Sequence, residues 1–195
     1  MTDRISKQLN FIKEIDKMKN VLRMTLVSES VRRENDAEHS WHLAMMALLL
    51  EEYAARPVDI THVLKMTLVH DLVEIYAGDT FAYDIQGNKD KEDRENKAAQ
   101  KLFSQLPKDQ ENLIFSLWRE FDDMKTDDSL FANALDRLQP FLSNVMTQGH
   151  TWMLGHVTKE KILWRMDPIR TATPALWPYL LDMVSEMEKK GYIPE

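Results

Sequence analysis

The chain has 195 residues, 44% of them hydrophobic and 29% charged, which is enough for one domain with a substantial core and ordinary for a soluble globular protein. Its net charge of −7 argues against a broad nucleic-acid surface, and the absence of cysteine excludes disulfides, thiolate zinc sites and a cysteine nucleophile. The longest apolar run, Leu43 to Leu50, is far short of the roughly 20 residues of a membrane span, and the N-terminus lacks the apolar stretch of a secretory signal, so the expected setting is cytoplasmic.

In chain order, residues 4–20 carry Ile5, Leu9, Ile12, Ile15 and Met18 at helical spacing. Residues 35–55 read as a second helix, with Asn35 and Glu38 as a capping box and apolar residues nearly all round, which predicts burial. Asp59 is placed to cap a third helix that runs to about Ala77, where Gly78 stops it in the left-handed conformation. Residues 79–90 form a loop, 91–105 a charged helix with Ala98, Leu102 and Leu106 inward, and the Lys89–Arg94 run reads as a solvated helix start. Pro107 opens a helix over 108–124, and 128–148 forms another, where Pro140 deprives the Asp136 carbonyl of its usual partner and predicts a bend. The tail, 158–191, holds two helices broken near Pro168 and Pro174. No segment alternates with period two. The expected fold is all-α, one compact helical domain over 1–195.

Polar residues interrupt these apolar patterns. His70 and Asp71 sit in Leu68-Val69-His70-Asp71-Leu72-Val73-Glu74, His39 in the first turn of an apolar helix, and Asp136 after Ala132-Asn133-Ala134-Leu135. On a continuous helix His70 and Glu74 share a stripe and Asp71 is offset by about 100°. An ionised Asp on such a helix is costly unless it is paired or metal-bound. Two imidazoles and two carboxylates make a mixed nitrogen and oxygen set for one divalent ion, Mn, Co, Fe, Ni, Mg or Zn.

Glu38-His39, His70-Asp71-x-x-Glu74 and Gly78-Asp79, followed by Asp136, resemble the HD-domain metal-dependent phosphohydrolases, most closely their compact 5′-deoxynucleotidase branch. The resemblance covers about residues 15–145, with C-terminal helices over 150–195. It implies that His39, His70, Asp71 and Asp136 hold one divalent metal, that Glu74 and Asp79 are the acid–base and positioning residues, and that the protein is a homodimer. No histidine lies between Asp71 and Asp136, so the chain resembles the one-metal type. Arg23 stands where that branch carries a substrate-contacting arginine, though Met24 replaces the aromatic that often follows it, and Arg32 also matches a family arginine. The implied reaction is removal of the 5′-phosphate from a nucleoside monophosphate by a metal-activated water, with spacing leaving open which of Glu74 and Asp79 is acid or base. Alternatives are the same site acting on a nucleoside triphosphate or another phosphoester, or a non-catalytic helical binding protein. The expected partner is a nucleotide, not nucleic acid or a membrane. His42, Phe81 and Tyr83 read as packing residues.

Overall fold

The computed structural model describes residues 2–29 and 31–195. Among these residues ten α-helices follow in chain order: α1 (Thr2–Ile15), α2 (Asp36–Leu50), α3 (Ile60–Val69), α4 (Glu74–Ala77), α5 (Lys91–Phe103), α6 (Lys108–Asp123), α7 (Asp127–Met146), α8 (His150–Leu154), α9 (Lys159–Ala172) and α10 (Trp177–Lys189). The fold is all-α, with one addition that the sequence pattern hid. Leu22–Leu26 (β1) and Arg33–Asn35 (β2) form a small antiparallel pair with an irregular register. Strands this short are edge-sized, and too few residues alternate for a period-two signal to emerge.

Caps act where the sequence puts them. Asn35 Oδ1 accepts from the Glu38 amide and Glu38 Oε2 accepts from the Asn35 amide, while Asp59 Oδ1 accepts from Thr61 and His62. Arg32 forks onto both Glu38 carboxylate oxygens at 2.9 Å and braces the same helix start.

The expected third helix is not continuous. The amides of Leu72, Glu74, Ile75 and Tyr76 bond three residues back, to Val69, Asp71, Leu72 and Val73, instead of four. In such turns residues three apart eclipse. Asp71 and Glu74 therefore share a face, and His70 is released toward α2 and α7. The expected His70–Glu74 stripe fails because it assumed 3.6 residues per turn. Gly78 does end the segment at positive φ (78°), but its ψ of 149° turns the chain outward instead of into a left-handed cap.

Two further readings are corrected, on α2 and on α9. α2 buries Asp36, His39, Ser40, Leu43, Met46 and Ala47, yet Trp41, Met45, Leu48 and Leu49 on the opposite side face solvent. On α1 Phe11 is buried, whereas Ile5, Leu9 and Ile12 stay open beside Leu113 of α6. α9 runs through Pro168 without a break and ends only before Pro174. Pro140 lies inside α7, which is helical from Asp127 to Met146. The core centres on α7, which packs against α2, α3, α6 and α9 and buries Phe131, Ala132, Ala134 and Leu135. No helix among the described residues is long and apolar enough to cross a membrane.

Candidate metal centre

Three helices bring their polar residues to one interior point. α2 supplies His39, fully buried; the end of α3 supplies His70 and Asp71; and α7 supplies Asp136. His39 Nε2 lies 3.1 Å from Asp136 Oδ1 and 3.7 Å from Asp71 Oδ2. His70 Nε2 lies 3.0 Å from Asp71 Oδ2 and 3.7 Å from Asp136 Oδ1. Donor atoms of His39, His70 and Asp136 all fall within 4.8 Å of one another. The outer ring nitrogens are tied elsewhere, His39 Nδ1 to Gln139 Oε1 at 3.0 Å and His70 Nδ1 to the Thr67 carbonyl at 2.9 Å. Both Nε2 atoms thus face the carboxylates, and that of His70 is buried with no hydrogen-bond partner. Tied outer nitrogens, an orphaned inner one and two carboxylates fit a divalent cation.

The protein's own charges reflect that crowding. Burial opposes charge on His70, but the neighbouring Asp71 and Asp136 carboxylates outweigh it and raise the imidazole to about 10. Burial also opposes charge on Asp71 and Asp136, and the imidazoles, with Arg23 beside Asp71, hold both carboxyls well below the usual range.

Beside this cluster lies a second one, of Asp36, Asp71 and Glu74, with one oxygen from each within 4.8 Å of the others. Asp36 Oδ2 and Glu74 Oε2 are buried without partners. Burial first, then the neighbouring carboxylates, pushes Glu74 well above its ordinary value and Asp36 up to about 7. Asp79 is also raised, mainly by burial.

Arg23 does not stand free. Its guanidinium lies 2.7 Å from Asp71 Oδ2 and 3.4 Å from Asp36 Oδ1. It still lines a cleft of about 150 Å³ together with Asp71, Glu74, Asp79, Asp136 and the cations Lys91, Arg137 and Arg165. Phe81 and Tyr83 form part of the cleft wall, edge to face at 5.3 Å, so they are more than core packing.

The Lys89–Arg94 run is not merely a solvated helix start. Lys91 lines the cleft, and Arg94 donates to the Ala77 carbonyl (2.7 Å), Thr80 Oγ1 (2.9 Å) and the Gly87 carbonyl (2.9 Å), pinning the loop that carries Asp79. Asp36 and Gln139 also escaped the sequence reading. Both carry a usable signal, a polar residue three positions from a candidate ligand on the same helix face (His39 and Asp136). His42, whose sequence reading was packing, also hydrogen-bonds, with Nδ1 3.2 Å from Gln139 Nε2.

A family model described as the HD domain matches residues 15–177. The chain belongs to the HD-domain family. It is 29% identical over 144 residues to the 5′-deoxynucleotidase HDDC2 of Dictyostelium discoideum, covering 71% of this chain and 76% of that one. It is 26% identical over 135 residues to the human 5′-deoxynucleotidase HDDC2, covering 69% of this chain and 65% of that one. Among solved structures, a predicted metal-dependent phosphohydrolase from Magnetospirillum magnetotacticum shares 48% identity at a TM-score of 0.94, covering 99% of this chain and 97% of that one. An HD-domain phosphohydrolase from Listeria innocua, 14% identical with a TM-score of 0.59 over 91% of this chain and 97% of that one, shares the fold.

Proposed function

We propose that this protein is a metal-dependent phosphohydrolase that removes the 5′-phosphate from deoxyribonucleoside monophosphates. The observation that carries the reading is the meeting of His39, His70, Asp71 and Asp136 at one buried point, on the floor of a cleft whose walls carry four cations. Those four residues would hold one divalent ion, which when bound supplies a water of lowered pKa and charge to offset the phosphate.

The chain's own groups do the rest. Arg23, Lys91 and Arg165 present positive charge to a phosphate dianion, and guanidinium forks suit its geometry. Glu74, a cleft residue beside Asp71 whose carboxyl burial makes more basic, takes up a proton from the attacking water. Asp79, which lines the cleft on the Arg94-pinned loop, is placed to pass a proton to the leaving 5′-oxygen. Phe81 and Tyr83 offer ring faces and edges to a base. The 5′-deoxynucleotidase names of the HDDC2 relatives support this substrate class.

As a second element of the proposal, the protein is a cytoplasmic homodimer. Trp41 (65% exposed), Leu48 (50%) and Leu49 (68%) give α2 an apolar outer face suited to a second copy.

The test is a panel of ribo- and deoxyribonucleoside mono- and triphosphates incubated with Mn²⁺, Co²⁺ or Mg²⁺, reading phosphate and pyrophosphate. Release of phosphate from deoxyribonucleoside monophosphates is expected. Turnover confined to triphosphates, or none with any metal, refutes the assignment.

A further inference from the structure

Behind His39 a line of hydrogen bonds runs from the metal centre to the β1–β2 hairpin, and its polarity is fixed at the far end. Glu34, at β2 and buried, accepts from Thr25 Oγ1 (3.0 Å) and from Gln139 Nε2 (2.7 Å). A carboxylate only accepts, so the Gln139 amide must turn its NH₂ toward Glu34 and its oxygen toward His39. That oxygen, 3.0 Å from His39 Nδ1, can only receive a proton. His39 therefore carries hydrogen on Nδ1 and keeps Nε2 on the side of Asp136 and His70. His42 Nδ1 accepts from the same NH₂ at 3.2 Å. Gln139 and His39 are both at most 1% exposed, so water does not compete for these bonds.

We propose that Glu34 and Gln139 are positioning residues that lock the His39 tautomer and ring orientation for metal binding. His70 needs no such device, because its Nδ1 is fixed by the backbone carbonyl of Thr67. His39 sits one turn into α2, and its Nδ1 points across to α7, so only a side chain of α7 can serve it. Gln139 lies three residues after Asp136, so one helix face supplies both a carboxylate for the centre and the group that aims an imidazole at it. The inference rests on the metal reading of the cluster.

Two measurements test it. Imidazole ¹⁵N–¹H spectra of the whole protein, metal-free and loaded with diamagnetic Zn²⁺, are expected to show a slowly exchanging proton on His39 Nδ1. A bare Nδ1 in the wild type overturns the relay and leaves the site itself standing. Mn²⁺ titration followed by the EPR signal of free ion gives the second readout. Glu34→Gln lets the Gln139 amide invert, and Gln139→Met removes the acceptor; each is expected to weaken Mn²⁺ binding by about 10–100-fold. The exchanged pair, Glu34→Gln with Gln139→Glu, restores an acceptor facing His39, with His42 shifting its proton to Nδ1, and is expected to recover most of the affinity. Affinity unchanged in both single variants, or no recovery in the pair, reduces these residues to packing and overturns the inference. Wild-type protein that binds no Mn²⁺ defeats the metal reading itself and the inference with it.

Discussion

Arg23 places its guanidinium 2.7 Å from Asp71 Oδ2, the same oxygen that stands 3.0 Å from His70 Nε2. One carboxylate oxygen thus links the cation read as a substrate contact to the metal cluster. Arg23 also reaches the buried Asp36 at 3.4 Å, so it faces two carboxyl groups, that of Asp36 and the half-buried Asp71, while lining the cleft. Arg23→Ala is expected to raise KM for a monophosphate at least about tenfold and to lower kcat as well. Arg23→Lys should recover only part, because a point charge cannot reproduce the fork. Steady-state kinetics on both variants checks this; unchanged KM and kcat in Arg23→Ala would remove Arg23 from the site.

Glu74→Gln should lower kcat by about 10²–10⁴-fold while Mn²⁺ affinity changes little, if Glu74 handles a proton and does not hold the ion. Because burial and the Asp71 and Asp36 charges raise the Glu74 carboxyl, wild-type kcat should climb with pH as that group ionises. A rate profile that keeps the same acid limb in Glu74→Gln assigns that limb elsewhere.

Asp36 makes a signed prediction for the metal-free protein. Burial and Asp71 hold its carboxyl at about 7, against about 4 in an unfolded chain. The folded state therefore binds the extra proton. The associated stability is complete below about pH 4 and is lost as pH rises to 7, on the order of a few kcal/mol. His70, raised to about 10, acts with the same sign at higher pH, its contribution fading from about 6.5 upward. Asp71 and Asp136, held low, act oppositely, and their contribution disappears as the solution is acidified below about pH 4. Thermal melts in chelator should show a falling limb between pH 4 and 7 that Asp36→Asn flattens.

Arg94 is expected to matter without touching substrate. It ties Ala77, Thr80 and Gly87 together, and Asp79 lies within that span. Arg94→Ala should speed amide hydrogen exchange over residues 79–90 and lower kcat through Asp79, with global stability reduced by about 1–3 kcal/mol. Fast turnover together with a loosened loop would uncouple Asp79 from the chemistry.

The outer face of α2 gives a test of assembly. Leu48→Glu, half exposed and remote from the centre, should shift light-scattering mass from dimer to monomer while each chain keeps its fold. A wild type that is already monomeric refutes the dimer.

The sequence by itself determined most of the helices, because apolar spacing and caps such as Asn35 and Asp59 are local and need no partner. It also marked His39, His70, Asp71, Glu74 and Asp136, because charged and ligating residues inside apolar helices demand an explanation. Only the tertiary structure decided how they meet. The turns tightened at 72–76 face Asp71 and Glu74 toward Asp36 and free His70 to meet His39, a change of pitch that no residue pattern announced. The bond from Gln139 to Glu34 spans 105 residues, and the pinning of Asp79's loop by Arg94 spans 14 at Thr80. Such contacts follow from chain packing, where distant segments meet, and periodicity carries no record of which segments those are.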